Sequence, residues 1–169
     1  MGRYRPPAPK KTAVITKQGH ERLTEELRFL WREERPKITQ TVSEAAAQGD
    51  RSENADYIYG KKRLAEIDRR VRYLKKRLEE MVIVDQRPDD VSKIYFGAWV
   101  TVENEQGLQK KYRIVGPDEF DDKDEYISID SPVARAIMGK SVDDEVSVVT
   151  PDGQVNLLIQ TIEYATKYD

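Results

Sequence analysis

Apolar positions in the first half of the chain recur every three or four residues. Leu23, Leu27 and Leu30 or Trp31 open a stripe that Ile38, Val42 and Ala45 continue. That period is one face of a helix, so the pattern predicts a helix over residues 17–48 with Thr16 as its N-cap. Arg35 falls on the seam, and Pro36 should kink the helix there, because proline lacks an amide hydrogen and its ring clashes with the preceding turn. Gly49 suits the position just past a helix C-terminus. A second helix follows, in which Tyr57, Gly60, Leu64, Ile67, Val71, Leu74, Leu78 and Met81 alternate spacings of three and four, a heptad seam. Two helices of similar length around a short Gly-Asp connection should fold back on each other as an antiparallel hairpin over residues 13–85, with an acidic tip at 49–56. About 30 residues per helix make an arm of about 45 Å.

After Asp85 the period shortens. Strands are predicted over 94–103 and 109–115 around an Asn104-Glu105-Gln106-Gly107 turn, then over 126–130 and 145–150. A Pro151-Asp152-Gly153 turn leads into a last strand, 154–164. Between them, Ser131 as N-cap, Pro132 at the first helical position and Gly139 at the end mark a short helix. The expected class is therefore α+β: a coiled-coil hairpin, then a small antiparallel β-sheet domain with one short helix over residues 93–169. Residues 1–12, rich in proline and basic side chains, read as a flexible tail.

Composition narrows the function. The chain has 169 residues, no cysteine and a single histidine, His20, so disulfides, thiol nucleophiles and a protein-only zinc site are excluded. It shows neither a run of about 20 apolar residues nor an apolar leader segment, and it reads as a soluble cytoplasmic protein without a membrane role. The net charge of −2 hides a split. Residues 1–85 hold 20 Lys/Arg against 14 Asp/Glu, a net of +6, and residues 86–169 hold 9 against 17, a net of −8. Opposite signs in two halves suggest two domains with different partners.

No phosphate loop, HExxH or nucleophile elbow is present, which leaves three features. Asp50 and Glu53 at the tip read as a capping box at the start of the second helix, or as half of a Mg²⁺ site whose other ligands come from elsewhere. From Lys61 to Arg77 nine cations face only Glu66 and Asp68, which reads as a solvated helix face or as a contact for a polyanion backbone. Ile129-Asp130-Ser131-Pro132-Val133-Ala134 reads as a well-made helix N-terminus or as a partner surface. Tyr59 reads as a stacking or a packing residue. Trp31, Phe96 and Trp99 are expected in the core or at a domain interface.

The residues also resemble a known family. Trp31-Arg32-Glu33-Glu34-Arg35-Pro36, Gly49-Asp50-Arg51-Ser52-Glu53-Asn54-Ala55-Asp56-Tyr57, Lys61-Lys62-Arg63-Leu64 and Tyr126-Ile127-Ser128-Ile129-Asp130-Ser131-Pro132 are similar to segments of the bacterial Gre transcript cleavage factors. The first of these, and the arginine after Asp50, set the chain apart from the GreA branch. The resemblance implies a hairpin followed by a domain similar to FKBP-type prolyl isomerases, in fold and not in activity. It implies a monomer whose Asp130, Ser131 and Pro132 dock on RNA polymerase beside the secondary channel. Asp50 and Glu53 then help to hold a Mg²⁺ ion shared with the polymerase active site, which cleaves backtracked RNA; no stand-alone activity is expected. Lys61, Lys62, Arg63, Arg69, Arg70 and Arg72 match a basic patch directed at the RNA 3′ segment. Some relatives occupy the channel without promoting cleavage, and this is the competing reading. Residues 2–11 precede the point where family members usually begin.

Overall fold

The computed structural model describes residues 6–49 and 54–165. They form two compact units, one made of Gln18–Met81 and the other of the described residues on either side of it.

The hairpin unit has α1 (Lys17–Phe29), a π-helical turn (Leu30–Glu34) and α2 (Arg35–Ala47) in its first arm, and α3 (Ala55–Glu80) in its second. The disturbance expected from Pro36 takes the form of a widened turn just before it. The Arg35 amide donates to the Leu30 carbonyl five residues back, and the wider turn relieves the clash that Pro36 would make with the carbonyl four residues before it. The seam follows the apolar period: Leu23, Leu30 and Ala45 are buried on the first arm, and Gly60, Ile67, Val71 and Leu74 on α3. Each buried Leu, Ile or Val contributes roughly 1.5–3 kcal/mol. At Gly60 a Cβ would lie 2.4 Å from Val42 Cγ2, so only glycine lets α2 and α3 come this close. With 26 residues, α3 is about 39 Å long.

The second unit is a five-stranded sheet in the order β5-β4-β3-β7-β6, built from β3 (Trp99–Asn104), β4 (Gln109–Val115), β5 (Tyr126–Ser128), β6 (Glu145–Thr150) and β7 (Gly153–Glu163), with α4 (Pro132–Ile137) packed on it. Its pairs are antiparallel except β4 with β5, which run parallel. The segment 116–125 is long enough to carry the chain back for that parallel pairing, where a tight turn would not be. Alternate residues of the strands, Val100, Val102, Ile114, Val148 and Ile159, fill the core together with Ala134 and Ile137 of α4. The third strand starts at Trp99 and not at Ile94, because Gly97 adopts φ 85° and Ile94 pairs its backbone with Lys140 and Gly139.

Two short strands, absent from the periodicity, complete this unit. β1 (Val14–Ile15) and β2 (Val82–Ile83) pair in parallel, so the chain enters and leaves the hairpin at neighbouring strands. Gly116 takes the close approach of β1: a Cβ there would meet the Val14 carbonyl oxygen at 2.2 Å. Glu119, 2% exposed, accepts from the Gly116 amide at 2.9 Å, the Thr16 amide at 2.9 Å and the Thr16 hydroxyl. Three donors offset the cost of burying that carboxylate.

Candidate functional site

The hairpin tip is defined by its edges, since Asp50 and Glu53 lie outside the described residues. Gly49 has φ +130°, a conformation that favours glycine. Asn54 is the N-cap of α3: its extended backbone turns into the helix and its Oδ1 accepts from the Tyr57 amide at 3.2 Å. Its Nδ2 donates to the Ala45 carbonyl at 2.7 Å, tying the start of α3 to the end of α2. The N-cap of α3 is therefore Asn54, and not Asp50 as the D-x-x-E spacing suggested. Among the described residues no group of three or more His, Asp or Glu side chains could hold a metal ion.

The basic run separates into two sets. Arg63 donates to Glu34 at 2.6 Å, Arg70 to Glu26 at 2.7 Å, and Arg35 of the first arm to Asp68 at 2.8 Å. These are pairs between the arms, and the Arg35 guanidinium, hydrogen-bonded to Asp68, holds that carboxyl below the usual carboxylate range. Arg77 is buried and pairs with Glu80 at 3.6 Å. The excess counted along one helix is thus partly cancelled by acids on the other. Arg63 and Arg70, expected at a nucleic-acid surface, are cross-braces of the hairpin; their signal in the sequence was the placement of Glu26 and Glu34 beside the seam. Lys61, Lys62, Arg69, Arg72 and Lys76 are exposed and have no hydrogen bond or ion pair among the described residues. At 3.6 residues per turn they share an arc of about 100° on the side of α3 away from the Gly60-Ile67-Val71-Leu74 seam.

The turn after β5 gathers Asp130, Ser131 and Pro132. Ser131 is the N-cap of α4, its Oγ accepting from the Ala134 amide at 3.3 Å. Asp130 binds the chain near its start: Oδ2 accepts from the Thr12 amide at 2.9 Å and Oδ1 from the Thr12 hydroxyl. Pro132 is exposed. Next to it, Val133 joins Val102, Tyr112, Val148 and Leu157 around an apolar groove of about 320 Å³ on the sheet. The strand alternation placed these residues on one face, but nothing in the periodicity marked that face as open.

The aromatic residues divide differently from expectation. Trp31 is 48% exposed and not in the core, because Leu30 takes the seam position. Lys75 Nζ stands 4.9 Å and the Arg35 guanidinium 5.3 Å from the Trp31 ring centroid. Tyr59, near the tip, is 68% exposed, so packing is not its role. Phe96 and Trp99 are half-buried in the sheet unit.

Fold and surfaces together define a two-unit protein, in which a helical hairpin with a cationic side is joined to a small mixed sheet carrying one short helix. The family model described as "Transcription elongation factor, N-terminal" matches residues 13–83, and "Transcription elongation factor, GreA/GreB, C-term" matches residues 88–164. Transcription elongation factor GreB of Yersinia pestis is 63% identical over 154 residues, 91% of this chain and 90% of that protein. GreB of Pseudomonas aeruginosa is 58% identical over 164 residues, 97% of this chain and 98% of that protein. A solved structure of GreA factor homolog 1 (Gfh1) from Thermus thermophilus is 27% identical, covering 90% of this chain and 99% of that chain at a TM-score of 0.42. The chain belongs to the GreA/GreB family of transcription elongation factors and is of the GreB type. Among the described residues no helix is long and apolar enough to cross a membrane.

Proposed function

We propose that this elongation factor works as a monomer in the cytoplasm by stimulating transcript cleavage in RNA polymerase. The turn at Asp130, Ser131 and Pro132, with the groove beside it, docks next to the secondary channel, and the hairpin enters the channel. At its tip Asp50 and Glu53 supply two carboxylate ligands to a Mg²⁺ ion whose remaining ligands are the polymerase's and the RNA's. Two hard oxygen donors are the right chemistry for that ion and too few to hold it alone, so no activity is proposed for the chain by itself. When bound, the ion activates water and offsets the charge that builds up on the phosphate. The two carboxylates orient that water, and Lys61, Lys62, Arg69 and Arg72 draw the displaced RNA 3′ segment along α3.

The observation that carries this reading is the Asn54 cap. With Asn54 in the cap position of α3, the second helix does not need Asp50 as its N-cap, which favours the metal reading of the acidic pair over the capping one.

Backtracked elongation complexes supplied with Mg²⁺ test it. The wild-type chain should speed release of a 3′ RNA fragment. Asp50→Asn or Glu53→Gln should abolish the gain while polymerase binding persists, and joint neutralisation of Lys61, Lys62 and Arg72 should weaken crosslinking to the RNA 3′ end more than neutralisation of Arg63 does. A wild-type chain that binds polymerase and leaves cleavage unchanged refutes the proposal and favours the channel-occupying reading.

A further inference from the structure

A second groove lies beside Trp31 on the hairpin unit. The widened turn at Leu30–Glu34 gives Leu30 the buried position and leaves the indole half in water. Turns of this kind, inserted in otherwise regular helices, are frequent at functional sites. The exposed ring borders a groove of about 380 Å³ lined by Thr24, Glu25, Leu27, Arg28, Trp31, Arg32 and Lys75. That volume lies in the range of sites for small planar ligands.

The charges around it are unequal in their commitments. Arg28 holds both local carboxylates, Glu25 at 2.6 Å and Glu33 at 3.2 Å, and its single positive charge offsets one of their two negative charges. Those acids in turn hold the Arg28 guanidinium well above its ordinary pKa. Arg35 is taken by Asp68 at 2.8 Å. Arg32 and Lys75 remain without an ion pair among the described residues, and Lys75 stands against the indole alone. An aromatic wall with Lys75 over its ring and Arg32 in the same lining, neither in an ion pair among the described residues, matches a base and its phosphate. An apolar peptide in the same groove would strip water from both cations and give them no partner. Lys75 also lies beside Lys76 and one turn from Arg72, which brings the groove next to the exposed cations of α3.

We infer that this groove is a stacking site for one base of single-stranded RNA, with Trp31 as the platform and Arg32 and Lys75 on the adjoining phosphate. The site deepens the RNA contact proposed above and rests on that reading for its place in transcript cleavage. Stacking on an aromatic side chain accepts any base, which suits a factor that meets many transcripts.

The test uses the full chain without polymerase. The protein has two tryptophans, and Trp99→Phe leaves Trp31 as the only indole; if that variant fails to fold, fluorine NMR of 5-fluorotryptophan-labelled wild type resolves the two rings. Titration with a short oligoadenylate should quench Trp31 saturably, while inorganic polyphosphate should bind the cations without the quench. Trp31→Leu should weaken oligoadenylate binding about tenfold, Trp31→Phe should recover part of it, and Lys75→Gln should reduce its salt dependence. Oligoadenylate binding without quenching, equal quenching by polyphosphate, no binding at all, or unchanged affinity in Trp31→Leu would each overturn the site. So would a Trp31→Leu variant that loses polymerase binding and keeps oligoadenylate affinity, which would assign the groove to a protein. Cleavage stimulation measured on the same preparations separates the two readings. Intact stimulation without a quench sinks only the groove, and a quench without stimulation by wild type sinks the polymerase role and spares the groove.

Discussion

Two threonines four positions apart are gripped alike, each giving its amide and its hydroxyl to one carboxylate: Thr12 to Asp130 and Thr16 to Glu119. The consequences differ because the burial differs. Asp130 is half-buried, and water can replace a lost donor. Glu119 is 2% exposed, and water cannot. Thr16→Val should therefore destabilise the sheet unit by about 1.5–3 kcal/mol, the cost of leaving a buried charged acceptor short of a donor. Urea unfolding followed by Trp99 fluorescence in a Trp31→Phe background measures it, and a loss below about 0.5 kcal/mol would mean that the Thr16 hydroxyl is dispensable. Neither grip was legible in the sequence. Thr16 was readable only as an N-cap candidate, since partners more than 100 positions away leave no local trace.

At the scale of elements, the hairpin was readable because its period is long and regular, and its exceptions have separate physical causes. Pro36 shows its effect as a π-helical turn one turn earlier, and with that turn Trp31 leaves the seam. Gly60 was legible as a seam position but not as the point of closest approach. Ala at this site gains about 1 kcal/mol of helix propensity, yet its Cβ would sit 2.4 Å from the Cγ2 of Val42, a β-branched side chain with little freedom to turn away. Overpacking of about 1–3 kcal/mol outweighs the gain. Thermal unfolding should show Gly60→Ala destabilising in the wild-type background and stabilising in Val42→Ala. A stabilising effect in both would show that the arms separate at no cost. The basic run teaches the same lesson in charge. Counting along one helix found the cations, and only the packed partner showed that Glu26 and Glu34 engage two of them.

For the whole molecule, the domain order along the chain is not the order of the folded units. The sheet unit is discontinuous: residues up to Lys17 belong with those from Val82 onward, and the hairpin interrupts them. A chain beginning at Val82 would lack β1, the Thr16 amide and hydroxyl that satisfy Glu119, and the Thr12 grip on Asp130. Such a fragment should melt several degrees below one in which residues 1–17 are joined to residue 82 by a short linker, since a 1 kcal/mol loss moves the midpoint of a domain this small by roughly 4–8 °C. Equal midpoints would show the N-terminal segment to be ornamental to the sheet unit.

Regular repetition was enough to determine the hairpin, the alternating strands, the Ser131-capped helix and the family, because each depends on residues close in sequence or on long matching segments. The tertiary structure alone decided which cations are free, that Asn54 and not Asp50 caps α3, that Trp31 faces water, and that the start of the chain completes the sheet unit. Those outcomes depend on partners brought together from distant positions, where burial and competition for donors, not local spacing, set the result.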